Sequence, residues 1–200
     1  GKTTISQLIA GFYAKNSGEI LYNDISIDNI SKKSLREHLF LVLQMPILFN
    51  NTLRFNLTMG ENISNEKIKE ALKIAQLNSM LENLPDGLDT IVGKMGIRLS
   101  GGQRQRLSIA RMILANPSVV IFDESTSALD VQTETKLFEN LENILKDKTV
   151  ITIAHRLSTV KNASKIFVLE DGELVQSGTH MELEDEIGHY KEFVKHQLLN

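Results

Sequence analysis

The chain has 200 residues, 42% hydrophobic and 24% charged, enough apolar material for one ordinary globular domain with a core and an inserted subdomain. Its 22 Lys and Arg against 25 Asp and Glu leave a formal net charge of −3, which offers no basic surface for nucleic acid. Lacking cysteine, it holds no disulfide and no thiolate metal site, and no run of about 18 apolar residues is present to span a membrane.

Gly1-Lys2-Thr3-Thr4 fits the closing residues of a P-loop, Gly-x-x-x-x-Gly-Lys-Ser/Thr. Ile5, Leu8, Ile9 and Phe12 follow at helical spacing, as expected of the helix behind such a loop. In that setting Lys2 reaches the β- and γ-phosphates, Thr3 holds Mg²⁺, and Gly1 and Thr4 meet phosphate oxygens near the helix start. Short alternating stretches over residues 18–27, centred on Asn23-Asp24, predict a small antiparallel hairpin. Residues 39–43 are a compact apolar run that predicts a buried strand ending at Gln44. From 51 to 115 the character is mostly helical; within 66–77, Ile68, Ala71, Leu72 and Ala75 recur at helical intervals.

Leu99-Ser100-Gly101-Gly102-Gln103-Arg104-Gln105-Arg106 sets two glycines at the mouth of a helix. Backbone N–H groups there can approach a phosphate closely, the helix start adds partial positive charge, and Ser100 adds a hydroxyl donor. The apolar strand 119–122 then ends in Asp123-Glu124, one carboxylate to hold Mg²⁺ and a second to polarise an attacking water. Apolar runs at 119–122, 149–154 and 165–169, with an amphipathic helix over 131–145, give a β-α-β rhythm and hence a parallel sheet with right-handed crossovers. Asp171-Gly172 turns the chain into an antiparallel partner strand at 173–176. Arg104, Arg106 and Arg111 read as helix-surface, salt-bridging residues, and His38, His180, His189 and His196 as structural or exposed.

Residues 99–106 and the strand ending in Asp123-Glu124 resemble the signature motif and Walker B element of an ATP-binding cassette (ABC) ATPase. Gln44, within Leu43-Gln44-Met45-Pro46-Ile47-Leu48-Phe49, resembles the Q-loop glutamine of that family. Ser127-Ala128-Leu129-Asp130 resembles its D-loop, and Ile153-Ala154-His155-Arg156-Leu157-Ser158 its H-switch. Segments 47–53 and 152–159 and the closing Ser177-Gly178-Thr179-His180 are similar to the exporter type. One departure stands out: Thr90-Ile91-Val92-Gly93-Lys94 occupies the place where exporters commonly carry Thr-Glu-Val-Gly-Glu, so both carboxylates are gone.

The resemblance implies an α/β, P-loop NTPase-like fold: a mostly parallel sheet with an inserted α-helical subdomain and a small antiparallel β element. Residues 1–44 and 116–200 would form a RecA-like core, incomplete because the first strand and most of the P-loop are missing, and 45–115 the helical signature subdomain. It further implies ATP and Mg²⁺ as cofactors, with Thr3, Gln44 and Asp123 on the metal and Glu124, His155 and Gln44 catalytic. Ser100, Gly101, Gly102, Gln103 and Asp130 would complete the nucleotide site across a dimer with a second cassette, identical or not. A transmembrane domain upstream on the same polypeptide is implied, making residue 1 a truncation point and placing the ATPase at the cytoplasmic face of the cell membrane, without nucleic acid. The chain by itself is then expected to bind ATP weakly or not at all and to be inactive. Two alternatives stay open: a non-catalytic dimerisation or binding remnant, and a soluble ABC ATPase acting on nucleic acid or ribosomes.

Overall fold

A computed structural model describes residues 1–124, 128–154 and 156–198. Two compact units make up the chain: Gly1–Asn29 with Thr152–Asn200, and Ile30–Ile151. In the first, α1 (Lys2–Ile9) starts from Gly1, whose carbonyl accepts the Ile5 N–H at 3.2 Å. The helix is shorter than its apolar spacing suggests. Gly11, at φ 70°, follows the Ala10 cap in the left-handed conformation that ends helices, leaving Phe12 beyond the last turn and 59% exposed. The expected hairpin is formed by β1 (Leu21–Tyr22) and β2 (Ile25–Ser26), antiparallel. Asn23 and Asp24 turn it at φ 47° and 66°, the left-handed pair that a two-residue hairpin loop needs and that these side chains tolerate best.

Within Ile30–Ile151, four helices begin on hydroxyl caps. Ser31 caps α2 (Lys32–His38), which leads into β3 (Leu39–Val42), the predicted buried strand. β4 (Asn51–Thr52) runs straight into α3 (Leu53–Thr58), capped by Thr52. Ser64 caps α4 (Asn65–Ile74), the helix expected from Ile68, Ala71 and Leu72, all buried; α5 (Asn78–Glu82) follows. After β5 (Ile91–Val92), antiparallel to β4, Ser100 caps α6 (Gly101–Ala115). Then come β6 (Val119–Asp123), α7 (Val131–Leu145) and β7 (Thr149–Ile153), whose last two residues fall in the other unit. The sheet order is β3-β6-β7, with β3 parallel to β6 and Val42 opposite Phe122. This is the expected α/β class.

Helix α6 contributes to two hydrophobic clusters of described residues in this unit. Leu107 and Ala110 join Leu53, Leu57, Ile68, Leu72 and Leu77 of the helical segment. Ile109 and Met112 face Val42, Val120, Phe122, Leu137 and Leu141 under the sheet. Burying each such side chain is worth about 1.5–3 kcal/mol, so α6 is held on two flanks rather than one.

In the remaining segment, α8 (Leu157–Val160) precedes β8 (Ile166–Glu170), which pairs antiparallel with β9 (Glu173–Gly178). The third apolar run takes its ladder from its hairpin neighbour, and among the described residues it is paired with no strand of the β3-β6-β7 sheet, contrary to the β-α-β expectation. Asp171 and Gly172, at φ 48° and 89°, form a tight turn that places a partner strand two residues away. Helices α9 (His180–Asp185) and α10 (His189–Leu198) close the chain, Leu183, Tyr190 and Val194 packing with Ile166.

Candidate functional site

Parallel pairing of β3 with β6 brings their C-terminal ends out side by side, the place where open α/β sheets bind ligands. Two residues beyond the Val42–Phe122 pair, the Gln44 amide donates from Nε2 to Glu124 Oε2 at 3.1 Å, across 80 residues of sequence. Asp123, the last residue of β6, is buried. Glu124 leaves the strand at φ 46°, a left-handed conformation costing a non-glycine residue about 1 kcal/mol or more. Strain of this kind persists where surrounding contacts impose it, and it sits on the residue whose carboxylate receives Gln44.

The start of α6 is a capping box: Ser100 Oγ accepts the Gln103 N–H at 3.1 Å, and Gln103 Oε1 accepts the Ser100 N–H at 2.8 Å. Because Oγ serves there as acceptor, the Ser100 hydroxyl proton can still be donated outward. Gly101 and Gly102 pack on the loop leading to α7. A Cβ on Gly102 would lie 3.1 Å from Leu129 Cδ2 and 3.3 Å from the Ala128 carbonyl oxygen, so the glycine permits close approach of two segments of this chain. Asp130 caps α7, accepting from the Thr133 N–H at 2.9 Å and the Thr133 hydroxyl at 2.7 Å. These hydrogen bonds hold its carboxyl below the ordinary range.

Gly1, Lys2, Thr3 and Thr4 belong to the other compact unit, where they form the exposed first turn of α1. The Thr3 carbonyl accepts the Ser6 hydroxyl at 2.8 Å. A helix start presents N–H groups and partial positive charge suited to an anion. His155 and Ser127 lie outside the described residues.

The three arginines of α6 differ from the surface ion-pair expectation. Arg104 donates to the Leu99 carbonyl at 2.7 Å, and Arg106 to the carbonyls of Gln76 at 2.8 Å and Gly102 at 3.4 Å. Arg111 bonds the carbonyl of Asn56, that of Ile47 at 2.9 Å and Asn56 Oδ1 at 3.0 Å. Desolvation lowers the pKa of both Arg106 and Arg111; for Arg106 the nearby Asp130 charge partly opposes it. The guanidinium fork suits this work, since it supplies several donors that can reach more than one backbone carbonyl at once.

Two further residues escape a reading by motif. Asn56, 0% exposed, accepts from the Phe49 N–H at 2.8 Å and donates to the carbonyls of Phe49, Asn51 and Thr52. Buried Gln105 donates to the Gln44 carbonyl at 3.0 Å and accepts the Ala128 N–H at 3.0 Å. The available signal for Asn56 is its place between Leu53 and Leu57 on an apolar helix face, where a polar residue must find partners.

Comparison with known proteins places this geometry. The family model described as "ABC transporter" matches residues 1–127. The ATP-dependent lipid A-core flippase of Chromobacterium violaceum is 46% identical over 191 residues, covering 95% of this chain and 33% of the flippase. A putative multidrug export ATP-binding/permease protein of Staphylococcus aureus is 45% identical over 192 residues, covering 96% of this chain and 33% of that protein. Among solved structures, a bacterial Atm1-family ABC exporter with ATP bound superposes with a TM-score of 0.92 at 38% identity, over 98% of this chain and 35% of the exporter. The chain thus spans about a third of the length of the curated relatives it matches.

Proposed function

Because this chain belongs to the ABC transporter family, we propose that it is the ATP-binding and ATP-hydrolysing portion of an exporter, driving export across a membrane through nucleotide-driven closure of two cassettes. The observation that carries the proposal is the Gln44–Glu124 hydrogen bond at the carboxyl ends of neighbouring parallel strands. It joins a general-base candidate to an amide that orients it, as a water-activating centre requires. The similarity to a lipid A-core flippase, a putative multidrug export protein and an Atm1-family exporter supports the same reading.

In this mechanism Glu124 takes the proton of the water that attacks the γ-phosphorus. The bond from that phosphorus to its bridging oxygen breaks, leaving ADP and inorganic phosphate. Gln44 holds the carboxylate toward the water. Lys2 offsets charge on the β- and γ-phosphates, Gly1 and Thr4 contribute donors at the helix start, and His155 contacts the γ-phosphate. Ser100, Gly101, Gly102 and Gln103 of the opposing cassette meet the same phosphates, with Asp130 at the subunit contact. Hydrolysis removes a group gripped from both sides and releases the pair.

The donor set also fits Mg²⁺. The Asp123 carboxylate, the Gln44 amide oxygen and the Thr3 hydroxyl are hard oxygen ligands, and the ion would offset phosphate charge when bound. Among the described residues no group of three or more His, Cys, Asp or Glu is clustered to hold a metal.

Residues 45–115 act as the helical signature subdomain and the flanking segments as the ATPase core. Among the described residues no helix is long and apolar enough to cross a membrane. The spans belong to a transmembrane domain on the same polypeptide, the cassette working at its cytoplasmic face.

The test is Glu124→Gln in the full-length exporter that contains this chain. It keeps ATP binding and ATP-induced dimerisation while turnover falls by about a hundredfold or more, the contribution of a positioned general base. Near-normal turnover refutes the assignment.

A further inference from the structure

We propose that Gln105 is a positioning residue for hydrolysis: it ties the Gln44 backbone to the loop after β6 and so keeps the Gln44 amide on the Glu124 carboxylate. The inference rests on the ATPase function proposed above. Gln105 lies in the second turn of α6 and is 3% exposed. A primary amide in such a place is costly to desolvate unless both its donor and its acceptor are used. Gln105 uses both on backbone far away in sequence. Nε2 donates to the Gln44 carbonyl at 3.0 Å across 61 residues, and Oε1 accepts the Ala128 N–H at 3.0 Å across 23.

The Gln44 carbonyl and the Gln44 side chain branch from one Cα, so fixing the carbonyl fixes the direction from which the amide reaches Glu124. The second bond holds the Ala128 N–H, four residues beyond Glu124 in sequence, so one side chain engages backbone at Gln44 and downstream of the base. That side chain stands five residues from Ser100 on a continuous helix. A displacement of the helix mouth therefore moves the anchor of the catalytic pair, linking the two motifs within a single subunit. Glutamine suits the position because it both donates and accepts: Met does neither through a comparable group, and ionised Glu keeps only the acceptor.

The experiment measures ATPase kinetics of the full-length exporter bearing Gln105→Met, Gln44→Ala and the two together. Gln105→Met lowers kcat about tenfold and leaves the KM for ATP within about twofold, the signature of lost positioning rather than lost binding. In the Gln44→Ala background the same substitution lowers kcat by less than about threefold, because the side chain it positions is gone. Gln105→Glu, which retains the acceptor and loses the donor, falls with Gln105→Met; it replaces that variant in the cycle should Gln105→Met fail to fold by circular dichroism. A single-mutant kcat within twofold of wild type overturns the inference, as does a full tenfold loss repeated in the Gln44→Ala background. If wild type turns over, Glu124→Gln does not, and the Gln105 variants are unchanged, the inference alone fails. An exporter without wild-type turnover defeats both.

Discussion

Asn56→Ala removes a fully buried side chain that makes five hydrogen bonds. Its carboxamide oxygen accepts from the Phe49 N–H at 2.8 Å and from Arg111 Nη2 at 3.0 Å, while Nδ2 serves the carbonyls of Phe49 at 2.9 Å, Thr52 at 3.0 Å and Asn51 at 3.3 Å. Asn51 and Phe49 are exposed, so water recovers part of what their carbonyls lose. Arg111 keeps its bonds to the backbone carbonyls of Asn56 and Ile47, so its guanidinium is weakened and not stranded. The Phe49 N–H and one guanidinium N–H lose their acceptor, at about 1 and about 1.5 kcal/mol. A void at a fully buried position brings the total to about 3 kcal/mol, a large part of a domain's net stability. With a urea dependence of about 2 kcal/mol per molar, the midpoint falls by about 1.5 M. The chain has no Trp, and Tyr13, Tyr22 and Tyr190 all lie in the other compact unit, so far-UV circular dichroism is the appropriate signal. A midpoint shift under about 0.5 M, or about 1 kcal/mol, refutes the accounting.

Gly96→Ala places a Cβ 2.2 Å from the Ile91 carbonyl oxygen, which cannot be relieved by rotating a side chain. The loop must shift, and destabilisation of about 1–3 kcal/mol is expected by urea titration; a shift under about 0.5 kcal/mol refutes the clash. Asp130 has its carboxyl pKa lowered by Thr133, so its contribution to α7 is fully present above the unfolded value of about 3.9 and is lost as pH falls through the folded value. Helix content followed between pH 5 and 2 declines less steeply in Asp130→Asn, which retains a capping side chain without a titrating proton; identical profiles contradict the role given to that carboxyl.

Features governed by near neighbours are legible in the sequence, and those governed by distant ones are not. Asn23-Asp24 announces its hairpin because the turn conformation is a property of those two side chains. Ser100 and Gln103 announce a helix start for the same reason. The meeting of Gln44 with Glu124 is not legible in the same way: it follows from the pairing of β3 with β6, which brings both residues out at the carboxyl edge. Gln105, Asn56 and Arg111 are different. Gln105 and Arg111 satisfy backbone groups 23 to 64 residues away, and a glutamine or arginine on a helix looks like a solvated residue until those segments are in place; Asn56 serves backbone only 4 to 7 residues away, but which groups it meets depends on how the chain folds back onto α3. The third apolar run illustrates the same divide from the other side: a β-α-β rhythm suggests a sheet neighbour, but a left-handed Asp-Gly pair supplies a partner that requires almost no loop closure.

The helix α6, wedged between two cores, is a stiff rod about 22 Å long. Clamped along both flanks, it moves as one body with what it packs on, so a push on its glycine end is carried along its length. Such a part behaves as a lever with little play. Whatever docks at its tip reaches deep into the fold without any intermediate having to melt or refold.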